Sequence, residues 1–405
     1  MKTIENTNFR GKKVLVRVDF NVPFDTFGKI SDDTRIREAL PTINKLINDQ
    51  AAVILVAHLG RPKKGGFEKE FTLRPVAEYL SSLLNKNVVF TQSLFGENIQ
   101  NGEDEISRLA KNLKNGEVML LENIRFYPEE TKGGEDLAQK LAKLSDCYVN
   151  DAFGAAHRAH SSTAIVAKYF PNDKYFGLLM QSEIENLERL LKNPQRPFTA
   201  IIGGSKVSSK IGVLENLMDK VDYLLIGGGM CYTFFKAIGH NIGSSLCEDD
   251  KIETAKQIIE KAKQKQVKLL LAQDNIITDR FANDAKPQNT DSIDIPDGFM
   301  GMDIGEKTIQ EYEKIIRQSQ TILWNGPMGV FEFENFARGT NAIAHTIAQT
   351  TEANHAFSAI GGGDSVAAIK KSGFADKISY ISTGGGAMLE YIEGKKLPGI
   401  EAILN

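Results

Sequence analysis

The sequence predicts an α/β protein of two doubly wound, Rossmann-like parallel-sheet domains joined by a connecting helix. Three observations carry this. Short apolar runs alternate with amphipathic stretches along all 405 residues, the pattern of parallel strands buried on both faces and covered by helices. That length suggests two domains at about 100 to 200 residues each. The halves also differ chemically: 12 of the 35 glycines fall in residues 1–200 and 23 in 201–405, whereas 9 of the 14 arginines precede residue 170.

In the first half the strand candidates are residues 14–20, 53–57, 88–90, 118–121 and 147–149. Between them, Ile36, Leu40, Ile43 and Ile47 are spaced to line one helix face, with Asp32 or Asp33 as N-cap. Pro41 should kink that helix. Residues 72–84 read as a second helix, with Pro75 early enough to be tolerated. The domain boundary is expected between 170 and 198. Pro171-Asn172-Asp173 is a turn signal and Asn193-Pro194-Gln195-Arg196-Pro197 a breaker, and they bracket a polar-rich helix over 182–192. The expected division is 1–172, a connector over 173–197, and 198–394.

In the second half the strand candidates are 198–202, 223–226, 268–272, 321–324, 355–359 and 378–382, with helices over 249–266 and 306–318. Four of these strands run into glycine turns: Gly203-Gly204, Gly227-Gly228-Gly229, Gly361-Gly362-Gly363 and Gly384-Gly385-Gly386. Open α/β sheets bind ligands beyond the carboxyl ends of their strands. Glycine lets backbone approach a ligand there, and a following helix aims free N–H groups at an anion. One such turn is only a tight connection; four in one domain point to a nucleotide or phosphate site. Neither G-x-x-x-x-G-K-[ST] nor G-x-G-x-x-G fits any of them, which counts against a P-loop NTPase and a standard dinucleotide fold.

Lys206 and Lys210 are expected to share a face in the first turns of a helix with the apolar stripe Val207, Ile211, Leu214 and Leu217, poised for an anion. Asp364, directly after a glycine triplet, is placed either to hold magnesium on a nucleotide phosphate or to act as a plain N-cap. Trp324 closes a strand and reads as core near the nucleotide end. In the first half the strand ends carry charge instead: Asp19-Phe20-Asn21, His58-Leu59-Gly60-Arg61, Glu122-Asn123-Ile124-Arg125 and His157-Arg158-Ala159-His160, with Arg35 opening the first helix. Parallel strands would gather these at one rim, where guanidinium forks suit a small ligand bearing carboxylate and phosphate. His157 and His160 have no third ligand spaced nearby, which disfavours a metal there.

The formal net charge of −3 excludes a broad polycation acting on nucleic acid or membrane. Three cysteines without C-x-x-C, no apolar leader stretch and no run of about 18 apolar residues lead to the expectation of a cytoplasmic protein with reduced thiols.

Seven segments, in order, resemble the phosphoglycerate kinase family over essentially the whole length: Arg17 to Pro23, His58 to Pro62, Leu121 to Phe126, Gly203 to Lys210, Trp324 to Pro327, Gly361 to Ser365 and Ser382 to Ala387. The resemblance implies a first domain for 3-phosphoglycerate or 1,3-bisphosphoglycerate, a second for magnesium-ADP or magnesium-ATP, a hinge between them, and a monomer whose C-terminal peptide, 395–405, returns to the first domain. Asp19, Phe20, Asn21, Arg35, His58, Leu59, Gly60, Arg61, Arg125 and Arg158 would hold the glycerate and its phosphate. Arg35, Lys206 and Lys210 would be catalytic. Lys210, Gly301, Asn325, Glu332, Gly362, Gly363, Asp364 and Ser365 would meet the nucleotide, Asp364 the metal, and Gly362 and Gly385 would give backbone donors to the transition state. Ser205 and Ser365 stand where the family usually has Ala and Thr, changes that remove no needed donor. The expected chemistry is direct in-line acyl-phosphate transfer without a general base, because the nucleophile is already ionised. The competing readings are a nucleotide-linked oxidoreductase, against which the missing G-x-G-x-x-G counts, and a non-catalytic phosphate-binding protein.

Overall fold

The computed structural model describes residues 1–405, which divide into two compact units: Met1–Glu185 with Lys396–Asn405, and Asn186–Lys395. The first is built on six parallel strands, β1 (Lys13–Val18), β2 (Ala52–Val56), β3 (Val88–Phe90), β4 (Val118–Leu120), β5 (Cys147–Asp151) and β6 (Lys174–Phe176), in the order β3-β4-β2-β1-β5-β6. All five residues of β2 and all three of β4 are buried, which is why these strands read as unbroken apolar runs rather than alternations. One face packs Val14, Val16 and Val18 with Ile36, Ile43 and Leu46 of the helix Thr34–Asn48.

That helix runs through Pro41 as a single fifteen-residue element. Pro41 lies on the exposed side, where the hydrogen bond it cannot make leaves a carbonyl to water, so the expected kink does not end the helix. Asp33 sits at the N-cap but its side chain makes no cap bond. Its Oδ2 accepts instead from Tyr79 Oη at 2.5 Å and Arg37 Nε at 2.6 Å.

In the second unit β7 (Phe198–Ile202), β8 (Tyr223–Ile226) and β9 (Lys268–Leu270) join three later strands, β13 (Thr321–Asn325), β14 (Phe357–Ile360) and β15 (Tyr380–Ile381), in the parallel order β15-β14-β13-β7-β8-β9. Between them lies an antiparallel sheet that the periodicity did not announce: β10 (Asn275–Thr278), β11 (Gln288–Asn289) and β12 (Met300–Ile304), ordered β11-β10-β12.

The expected helical placement of Lys206 and Lys210 is corrected. The helix begins at Ile211, with Lys210 at its N-cap. The preceding residues are held as turns because Glu248 accepts from the Ser208 backbone N–H at 3.0 Å and from its hydroxyl at 2.6 Å. The connecting helix, Leu178–Leu191, starts four residues before the expected 182. No helix is long and apolar enough to cross a membrane.

Candidate active site

In the first unit the carboxyl ends of β1, β2, β4 and β5 are neighbours, and parallel pairing brings their following turns to one rim. Asp19 anchors it. Its Oδ2 takes Arg35 Nη1 at 2.5 Å and its Oδ1 the Asn21 backbone N–H at 3.1 Å. Asn21 Oδ1 then accepts from Gly60 N at 2.9 Å, and Gly60 O accepts from Arg125 Nη1 at 2.7 Å. Thus Asp19, Asn21, Arg35, Gly60 and Arg125 form one hydrogen-bonded chain across three strand ends. Burial alone would raise the Asp19 carboxyl, but the Arg35 and Arg17 guanidiniums hold it below the ordinary aspartate range.

Phe20 and Leu59 enter only through backbone. Their side chains belong to the hydrophobic core, and the Leu59 N–H already donates to Asn123 Oδ1. Arg61 and Arg158 are exposed on the rim; Arg61 acts electrostatically on Arg125, and Arg158 on His160.

Arg17 opens the first of the family-like segments, and the structure gives it a role that the sequence does not. It is 1% exposed, and a buried guanidinium costs several kcal/mol unless its donors are used. They are: Nε donates to Ser162 Oγ at 2.8 Å, Nη1 to Val18 O, and Nη2 to His58 Nδ1 at 3.1 Å. Ser162 Oγ passes the contact to Glu130 Oε1 at 2.6 Å. Because a guanidinium only donates, Nδ1 of His58 accepts and its proton resides on Nε2. Burial drives the His58 imidazole well below its ordinary value, so it is a neutral N–H donor at neutral pH. His160, pushed down to about 4 by burial and then by Arg125, is another neutral imidazole. The rim therefore combines cationic forks with uncharged donors, and it is built for an anion. The sequence signal for Arg17 is a charge inside a Val-Leu-Val-Arg-Val run.

In the second unit β7 is followed toward β8 on one side and β13 toward β14 on the other, so the topological switch lies between β7 and β13. There the backbones of two glycine turns touch: a Cβ on Gly203 would lie 2.1 Å from Pro327 O, and one on Gly326 (φ +97) 2.2 Å from Gly203 O. No other residue fits. Asn325 at the end of β13 ties the switch together: its Nδ2 donates to Gly361 O at 2.5 Å and its Oδ1 accepts from Lys210 Nζ. Ser365 Oγ accepts from Gly326 N at 2.6 Å. Burial lowers the Lys210 ammonium, with Asp364 and Glu393 opposing, which places Lys210, Asn325, Asp364 and Ser365 in one cluster. Gly362 (φ +94) precedes the helix Gly363–Ser372, while Gly363 and Gly385 have open space where a Cβ would stand. Lys206 is exposed and carries no described contact to this cluster.

Beside it lies a cleft of about 530 Å³ whose walls include Gly204, Gly228, Gly301, Pro327, Glu332 and Asp364. Its apolar lining was not read from the sequence. Tyr232 and Phe281 come from outside the singled-out motifs, Met300 and Met302 from β12, and Phe333 packs tilted against Phe281 with centroids 5.0 Å apart. Gly301 is required by packing, since a Cβ would meet Tyr232 Oη at 2.1 Å.

No group of three acidic, histidine or cysteine side chains is arranged to cage a metal. Of the two carboxylates lining the cleft, Glu332 and Asp364, Asp364 at the start of the helix after the glycine turn fits a magnesium ion held chiefly by ligand phosphate and water, the usual preference of that ion.

A parallel α/β unit with an anion rim of guanidiniums, and a second whose switch point offers glycine backbone, a lysine and an apolar cleft, define a phosphotransferase that works on two anionic small molecules. The sequence profile of "Phosphoglycerate kinase" matches residues 4–395. A protein named phosphoglycerate kinase from Porphyromonas gingivalis is 52% identical, covering 99% of each chain. Among solved structures, phosphoglycerate kinase from Coxiella burnetii is 44% identical with a TM-score of 0.88, covering 99% of this chain and 98% of that one. The corresponding values for phosphoglycerate kinase from Pyrococcus horikoshii OT3 are 33%, 0.80, 100% and 98%. The chain belongs to the phosphoglycerate kinase family.

Proposed function

We propose that this chain transfers the acyl phosphate of 1,3-bisphosphoglycerate to ADP, reversibly, giving 3-phosphoglycerate and ATP in glycolysis and gluconeogenesis. One observation supports the reading: most of the family's motif residues gather at the strand ends of the two units, around guanidiniums in the first and around glycine backbone, Lys210 and a cleft in the second. The Asp19-Arg35-Asn21-Gly60-Arg125 chain, with Arg61, Arg158 and the neutral His58, holds the glycerate carboxylate and phosphate. Gly301 and Glu332 hold the nucleoside end of ADP, Gly362, Gly363 and Ser365 meet its phosphates, and Asn325 and Lys210 complete the nucleotide site beside them.

The acceptor oxygen of ADP, or the carboxylate in reverse, is already ionised, so no side chain has to remove a proton. The demand is alignment and neutralisation of charge on the transferring oxygens. Arg35 supplies it from one unit; Lys206, Lys210 and the N–H groups of Gly362 and Gly385 supply it from the other. Asp364 holds magnesium, which when bound screens the phosphate charge. Since the substrates occupy different units, those units close about the 173–197 segment to bring donor and acceptor into line and exclude water. The protein acts in the cytosol, a setting its free cysteines fit, and as a monomer, which rests on the family resemblance alone.

The test is ATP formation from 1,3-bisphosphoglycerate and ADP by the purified chain. Lack of ATP would reject the reading, and NADH binding would favour an oxidoreductase instead. A single in-line step inverts configuration at a chiral thiophosphate, whereas retention would reveal a phosphoenzyme.

A further inference from the structure

Two walls of the cleft in the second unit meet at a carboxylate that no sequence motif marked. Asp303, in β12 between the cleft residue Met302 and Ile304, is 1% exposed. Its Oδ2 accepts from the Gly339 backbone N–H at 2.7 Å, in the first turn of the helix Arg338–Asn354, and its Oδ1 accepts from Ile304 N at 2.9 Å. Two glycines press on the same oxygen: a Cβ on Gly329 would lie 2.3 Å from Oδ1, and one on Gly339 2.4 Å away. The segment starting at Gly329 is pinned to β12 by Val330 N donating to Met302 O at 2.8 Å, and Met328 N donates to Thr340 Oγ1 at 3.0 Å in the same helix. That segment carries Glu332 and Phe333, which with Gly301 and Met302 line the cleft.

We propose that Asp303 is a positioning residue for the nucleotide, fixing residues 329–333 against β12 and so setting the distance between the two walls that grip the nucleoside. The proposal rests on the reading of this cleft as the nucleotide site. Asp303 touches no substrate; it acts through the Gly339 N–H that it accepts and through its close approach to Gly329. Burial pushes the Asp303 carboxyl up to about 7, so the isosteric amide is compared with wild type at about pH 8, where the carboxylate accepts with both oxygens while an amide accepts with one end only. In Asp303→Asn one of the two backbone N–H groups faces an NH2, and that wall shifts.

The experiment is calorimetric titration of the full chain with magnesium-ADP, together with steady-state kinetics for both substrates. In Asp303→Asn, Kd and KM for the nucleotide should rise about tenfold, while kcat and the KM for 3-phosphoglycerate stay within about twofold, the loss expected for one charge-assisted hydrogen bond felt only through binding. Gly339→Ala pushes on the same oxygen from the other side and should give the same split; it carries the test if the Asn variant does not fold. Unchanged nucleotide KM in the folded variants, or an equal loss for 3-phosphoglycerate, overturns the proposal. A wild-type chain that binds no magnesium-ADP would refute the nucleotide reading itself, whereas wild-type binding matched by both variants refutes only the role of Asp303.

Discussion

Arg35→Ala separates the two halves of the proposed chemistry. In the wild type its guanidinium reaches Asp19 Oδ2 at 2.5 Å, with side-chain exposures of 36% for Arg35 and 9% for Asp19. Removing it has two consequences of different size. Loss of one preorganised charge contact to the transferring group costs about 2.7–4 kcal/mol, or 10²–10³ in kcat. The pair itself is part-exposed on the arginine side, so its loss should cost only about 1 kcal/mol of stability. Asp19 keeps the Asn21 N–H and the Arg17 field. The catalytic term dominates, and the variant should be folded but slow.

The sign of the accompanying pH effect follows from Asp19. Its native carboxyl is held below the ordinary value, so its stabilising contribution is complete above the unfolded-state range and is lost as pH falls through the native value. Without Arg35 the native value rises, and acid unfolding should begin at higher pH. The assays are kcat and KM for both substrates, calorimetric affinity for magnesium-ADP, and circular dichroism against pH. Turnover within about threefold of wild type would refute Arg35 as a source of transition-state charge. Nucleotide affinity falling as far as turnover would refute the assignment of substrates to units.

Lys210→Ala should weaken ATP and slow transfer together, because it removes the ammonium bonded to Asn325 at the switch point; an unaltered rate excludes it from the site. Gly301→Ala drives a Cβ to 2.1 Å from Tyr232 Oη and should raise nucleotide KM while the unfolding free energy falls by about 1–3 kcal/mol, measured by denaturant unfolding. His160 has a native value of about 4, below its unfolded 6.5. The unfolded chain therefore takes up the proton first as pH falls, and stability is lost between about 6.5 and 4. His160→Gln should flatten that part of the stability profile relative to wild type, and an identical slope would contradict a buried neutral imidazole.

Both parallel sheets were legible because their signal is local: β2 and β7 are apolar runs ending in recognisable turns, and parallel pairing converts sequence position at a strand end into position on a rim. The antiparallel sheet was not, because β11 is two exposed polar residues and β10 and β12 sit among Asp, Asn and Pro without a clear period. The helix expected from Lys206 lost its first turn to Glu248, a partner about forty residues away that no local propensity reports. At the site, charged and glycine strand ends were readable, whereas Arg17, Glu130 and Asp303 were not. Their importance lies in what they bury and whom they bond, and the walls of the cleft are assembled from segments as distant as Tyr232 and Phe333.

The last ten residues, Lys396–Asn405, belong to the first unit although some two hundred residues of the second intervene. Gly399 N donates to Ala156 O at 2.8 Å, Asn150 Nδ2 donates to Gly399 O at 3.2 Å, and a Cβ on Gly399 would press on Ala156 Cα at 2.9 Å. The first unit is thus discontinuous in sequence, and its packing around Asn150 and Ala156 is completed only by residues that follow the whole of the second unit. Deleting the tail should leave the Asn150 amide of β5 without its Gly399 partner and uncover Ala156, so a loss at the far end of the sequence should be read out as a loss of stability in the first unit.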